Sequence, residues 1–148
     1  MTEEDKKLLL KYLCARQTYN VKCQVFNDAN PYTLSGVLHN KPFGQLYFEE
    51  LDWKEFDGFV NVEYCKPYLF PLSSMTDELW DKEFRGYAIT EFTRDSFKYG
   101  CETLEFNDSN PNLSSMVRFI NQLIKNHFDI YGLIPMGLAI DATNKNIY

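Results

Sequence analysis

Apolar residues open the chain at helical spacing. Leu8, Leu9, Tyr12 and Leu13 share one face while Lys6, Lys7 and Lys11 stay off it, which predicts a helix over 3–16. Thr2 and Asp5 stand three positions apart, as the hydroxyl and the acid of a capping box do, and they fix where that helix begins. The period then changes from helical to alternating. Val21, Cys23 and Val25 alternate with Lys22 and Gln24, the pattern of a half-buried strand over 21–25.

Asn27-Asp28-Ala29-Asn30-Pro31 is turn chemistry, because short polar side chains bond the local backbone and proline fixes φ. A returning strand is expected over 32–39, with Leu34, Gly36 and Leu38 on one phase. Asn40-Lys41-Pro42 turns the chain again, and a third strand is read over 44–49. Residues 52–55 fit a short helical turn ended by Gly58, and 59–64 a fourth strand. Pro67 and Pro71 keep residues 66–72 extended and argue against a central place in a sheet.

Ser74-Met75-Thr76-Asp77 is a second capping signature. It opens a helix over 75–85 that buries Met75, Leu79, Trp80 and Phe84, with Gly86 as its stop. Residues 87–109 are ambiguous in pattern: 87–92 and 102–106 are compatible with strands around a turn at Gly100. Asn110-Pro111 pairs a helix cap with proline at the first helical position. A helix over 111–127 follows, with a stripe of Leu113, Met116, Val117, Ile120, Leu123, Ile124 and His127/Phe128. The apolar content of 129–148 predicts that this tail packs on the body. No repeat, low-complexity tract or linker interrupts the 148 residues. The expected fold is a single α+β domain over 1–148, an antiparallel sheet of three to five strands packed against two or three helices.

Composition narrows the function. Twelve Phe, 10 Tyr and 2 Trp supply a large core, so the chain is no disordered polymer. No run of 18 apolar residues predicts a membrane span, and the charged start MTEEDKK is unlike a secretory signal. Fifteen basic against 21 acidic residues give a net charge of −6, the wrong sign for gripping duplex nucleic acid. The window Glu49 to Asp57 holds five carboxylates and one ammonium, a solvated acidic face that also suits a basic partner. Cys14, Cys23, Cys65 and Cys101 form no C-x-x-C pair, and His39 and His127 lie far from zinc-finger spacing. Buried reduced thiols in a cytoplasmic protein, with no metal and no cofactor, are the economical expectation.

Two constellations carry candidate chemistry. Asp52-Trp53-Lys54 has the Asp-x-Lys form of a restriction-type nuclease. There Asp28 and Asp52 would hold Mg²⁺ and Lys54 would steady charge on the attacked phosphate. Phosphate-cradling glycine loops and nucleophile elbows are absent from the sequence, and Ser73, Ser74, Ser114 and Ser115 fall at helix starts, where capping explains them. The second constellation is aromatic. Tyr64, Tyr68, Phe70, Trp80 and Tyr87 surround the proline-rich segment, with Lys66 and Arg85 as cations. Rings beside cations hold unpaired bases or nucleotides, and rings alone build core.

Cys65-Lys66-Pro67-Tyr68-Leu69-Phe70-Pro71-Leu72-Ser73-Ser74-Met75-Thr76-Asp77-Glu78 resembles a block shared by small proteins of phages and integrated elements of gut Bacteroidota. A second block follows at Asn126-His127-Phe128-Asp129-Ile130-Tyr131-Gly132-Leu133-Ile134-Pro135-Met136-Gly137-Leu138-Ala139. Phe70 and Tyr131 depart from the group, which often has Arg at both places. The resemblance implies a phage context and carries no mechanism. The leading expectation is therefore a non-catalytic phage accessory protein that binds a host macromolecule, in an anti-defence or host-takeover role that includes sequestering a nucleotide signal. Its binding residues would be Lys66, Tyr68, Phe70, Trp80 and Arg85. A metal-dependent nuclease or phosphodiesterase on Asp28, Asp52 and Lys54 is the alternative.

Overall fold

The computed structural model describes residues 1–38, 44–51, 59–84 and 113–148. The chain is α+β and its contacts divide into two compact units, residues 1–69 with 133–148, and residues 70–132. The readings at His39 to Pro42, at 52–58 and over 85–112 lie outside the described residues.

The first unit begins with α1 (Glu3–Arg16). Its start is the capping box read from the sequence: the Asp5 amide donates to Thr2 Oγ1 at 3.1 Å and the Thr2 amide to Asp5 Oδ2 at 2.7 Å. The helix buries Leu9, Tyr12, Leu13 and Arg16. Arg16 escapes a hydropathy reading. It is fully buried, its guanidinium carbon lies 4.1 Å from the centroid of the Tyr12 ring, and its Nη2 donates to the Tyr12 hydroxyl.

The strands are β1 (Lys22–Val25), β2 (Tyr32–Leu38), β3 (Gln45–Phe48), β4 (Phe59–Asn61), β5 (Cys65–Leu69) and β6 (Ile140–Asp141). They form one sheet in the order β4-β3-β2-β1-β5-β6. Neighbours are antiparallel except β5 and β6, so the sheet is mixed and has one strand more than the largest number expected. The extra strand comes from the tail. Two residues are too few to show an alternation, and the sequence signals only that the tail is apolar. Its Leu133, Leu138, Ala139 and Ala142 are buried.

Three departures from the expected elements have local causes. Leu38 does not share the phase of Leu34: Leu34 pairs with Phe48 but Gly36 pairs with Tyr47, which makes Ser35 an extra residue in β2. Beyond this bulge Val37 opposes the buried Leu46, and Leu38 turns outward to 41% exposure. At Gly36 a Cβ would stand 3.3 Å from the Tyr47 Cβ, a close approach that suits glycine. The fourth strand is shorter than read, because residues Val62–Tyr64 coil into a 3₁₀ turn closed by Cys65 N–H on Val62 O.

The third departure is β5, which lies inside the sheet despite Pro67. The Phe26 amide bonds Tyr64 O at 3.0 Å, and bonded and non-bonded pairs alternate in an antiparallel ladder. The Cys23–Pro67 pair is therefore non-bonded, and the proline nitrogen faces away from β1. On that other side β6 pairs only with Tyr68 and Leu69. The missing N–H is not called on by either neighbour.

In the second unit α2 (Asp77–Glu83) is capped by Thr76, whose hydroxyl accepts from the Leu79 amide at 3.2 Å. This start is two residues later than read. The other helix, α3 (Leu113–Lys125), falls within 111–127. Its buried face is rotated from the expected stripe. Phe119 and Leu123 are buried, whereas Leu113 is 72% and Val117 49% exposed. Val117 sits about 120° around the helix from Leu123, at the margin of a stripe wider than the surface it covers. Phe119 and Leu123 join Met75, Phe84 and Phe128 in a core against which Phe70, Leu72, Leu79, Trp80 and Ile130 pack. The Phe84 and Phe119 rings meet edge to face at 5.6 Å. At its C-terminus α3 ends in a Schellman motif: Phe128 N–H reaches Leu123 O at 3.0 Å and His127 N–H reaches Ile124 O at 3.1 Å. His127 fills the left-handed position, φ 60°, where glycine is usual.

Candidate functional site

The site lies where β1 leaves the sheet. Val25 O accepts from the Asp28 amide at 2.9 Å, and the residues between have φ of 52° at Phe26 and 63° at Asn27. Two successive positive values define a type I′ turn. Asparagine suits its second central position, but a bulky phenylalanine at the first is a genuine outlier. Such a residue costs on the order of 1–3 kcal/mol and persists only where the surroundings over-determine it.

Phe26 is held there by Tyr64, which leads into β5. The two rings stack with centroids 5.0 Å apart and planes 27° from parallel. They are nonetheless open to solvent, Phe26 to 41% and Tyr64 to 49%. A strained turn thus presents a stacked aromatic pair outward rather than into the core. Lys66, the second residue of β5, follows two positions after Tyr64 and stands opposite Gln24 across the ladder. The Gln24 amide donates to Asp28 O at 3.0 Å and ties the following loop back over β1.

Asp28 organises that loop. Its Oδ1 accepts from the Asn30 amide at 3.0 Å and from Asn30 Nδ2 at 3.2 Å, and its Oδ2 from the Tyr32 hydroxyl at 2.5 Å. The Tyr32 bond first, and then the Asn30 amide, hold its carboxyl below the usual range. Both oxygens are engaged in shaping a turn. Asp52 and Lys54, its partners in the nuclease constellation, lie outside the described residues. Among the described residues no group of three or more His, Cys, Asp or Glu is placed to hold a metal ion.

The residues of the aromatic constellation belong to both units. Tyr64 and Lys66 stand together at the turn. Tyr68, on the same strand, is buried to 4% exposure. Phe70 and Trp80 belong to the second unit and pack against its core, with Trp80 stacked on Phe84 at 5.6 Å. Arg85 and Tyr87 lie outside the described residues. Phe26 is the ring that sequence reasoning missed. Asn27 marked a turn, but nothing in Val-Phe-Asn-Asp says that the turn takes Phe26 as its first left-handed residue.

Cys23 and Cys65 are buried on the core face of β1 and β5, Cys14 is partly exposed, and all three are free thiols. Burial first, and then contact with the Cys65 thiol, push the Cys23 thiol well above its ordinary value. This is the reverse of an activated nucleophile. Searches against family models, curated proteins and solved structures gave no match to this chain.

Proposed function

We propose that the chain is a non-catalytic phage accessory protein that binds a macromolecule of its bacterial host in the cytoplasm, in an anti-defence or host-takeover role that includes sequestering a nucleotide signal. The observation that carries this reading is the Phe26–Tyr64 pair, two solvent-open stacked rings on a backbone strained to present them. Strain that buys no burial is a mark of function. Exposed aromatic anchors dominate the energetics of recognition surfaces. The phage setting rests on the two sequence blocks around Cys65 and Asn126. The nuclease reading finds less support, since Asp28 has both oxygens committed to its own loop.

The test is affinity capture from a Bacteroidota lysate, with wild type beside Tyr64→Ala and with the enriched species quantified by mass spectrometry. A species held by wild type and lost from the variant supports the proposal. Equal enrichment by both proteins removes the pair from the account.

A further inference from the structure

The charges around the Phe26–Tyr64 pair are unequal in their engagement. Glu63, next to Tyr64, has a carboxylate oxygen 2.5 Å from the Lys6 ammonium. Asp28 is taken by Tyr32 and Asn30. Lys66 differs from both. Among the described residues no ion pair or hydrogen bond holds its ammonium. The local chemistry at the stack is therefore a half-exposed tyrosine ring with an unengaged cation two residues along the chain, itself acidic overall.

From this juxtaposition we infer that the face formed by Phe26, Tyr64 and Lys66 binds a free nucleotide. The inference rests on reading the pair as the docking surface. The base stacks on the exposed Tyr64 ring, with Phe26 behind it, and the Lys66 ammonium takes the phosphate. Cys65, between Tyr64 and Lys66, is extended, φ −117° and ψ 138°, which sets their two Cα atoms about 7 Å apart, the reach from a nucleobase to its 5′-phosphate. A single phosphate group is what one cation satisfies. A nucleic acid strand would carry its further phosphates across a surface of net charge −6, which disfavours it.

The experiment is isothermal titration of the full chain with AMP, GMP, CMP and UMP, with the four corresponding nucleosides, and with inorganic phosphate and a twelve-residue oligothymidylate. At least one nucleotide is expected to bind at a 1:1 ratio. Its nucleoside should be weaker by about fivefold, the worth of one exposed charge pair. Lys66→Ala should bring the nucleotide down to the nucleoside's affinity, and Tyr64→Ala should abolish both, with melting curves of the variants confirming that they fold. Tighter binding of the oligonucleotide than of any mononucleotide, equal binding of nucleotide and nucleoside, or an unchanged affinity in Lys66→Ala each overturns the inference. If no nucleotide binds below 5 mM while Tyr64→Ala still loses its host species, the ligand class is wrong and the docking surface stands. If no nucleotide binds and capture is also unaffected, both fall.

Discussion

The hydroxyl of Tyr148 donates to the carbonyl oxygen of Tyr68 at 2.8 Å, across 80 positions of sequence. The Tyr148 hydroxyl oxygen in turn accepts from the Lys22 amide at 3.1 Å. Lys22 and Tyr68 are the next facing pair after Cys23 and Pro67, so the phenol stands in for a direct bond between β1 and β5. One donor and one acceptor are what a tyrosine hydroxyl supplies. Although 46% of the residue is open, its hydroxyl end is enclosed, and burial raises its pKa well above the ordinary value. Ionisation would remove the donor that the Tyr68 carbonyl requires.

Tyr148→Phe should therefore leave a strand amide and a carbonyl unsatisfied at once. The expected loss is about 1 kcal/mol, the net worth of a hydrogen bond at a partly open site. Urea titration measures it, and a change below about 0.5 kcal/mol would show that the phenol only rests on the sheet.

The rotated face of α3 makes a paired prediction. Leu123→Ala empties a fully buried site and should cost about 2–5 kcal/mol by lost burial plus cavity. Val117→Ala, on a residue half exposed, should stay within about 0.5 kcal/mol. Equal losses at the two positions in thermal or urea unfolding would return the helix to the stripe read from its sequence.

At the end of α3 the left-handed backbone of His127 sets an order between two substitutions. His127→Gly and His127→Ala both remove the imidazole, but only glycine, which has no Cβ to meet the following carbonyl, adopts φ 60° without strain. The glycine variant should be more stable than the alanine variant by about 1–2 kcal/mol. The reverse order in denaturant midpoints would exclude the Schellman geometry.

Glu50 links stability to pH. Burial pushes its carboxyl up, but the Thr33 hydroxyl and amide and the Lys22 ammonium together bring it below its ordinary value. A depressed folded pKa stabilises above the unfolded value, about 4.3 for a glutamate, and that stability is lost as pH falls through the folded pKa. Wild type should lose more stability than Glu50→Gln between pH 5 and pH 3, an interval chosen to span about that value. Parallel pH profiles for the two proteins would contradict the Thr33–Glu50 link.

What the sequence discloses depends on whether a residue's role is local. Thr2 and Asp5 announce α1, because a cap needs only near neighbours. Alternation finds β1 unaided, with Val21, Cys23 and Val25 all buried. It fails at Leu38, where a bulge set by strand pairing reverses the phase. Proline's aversion to inner strands fails at Pro67, because the aversion concerns a hydrogen bond that this register never requests. The site divides in the same way. Tyr64 and Lys66 are two residues apart and legible as ring beside cation. Phe26 joins them through a turn whose left-handed backbone no local rule assigns to phenylalanine. Phe70 and Trp80 pack against the core of the second unit, a role their composition alone does not distinguish from a ligand contact.

The most direct measurement is a hydrogen–deuterium exchange footprint of the protein bound to the species it captures. Binding through the stacked pair predicts protection confined to residues 24–28 and 63–66, with the ring pair at its centre. Protection centred elsewhere, on α3 for example, with unchanged exchange around Phe26 and Tyr64, would contradict the account.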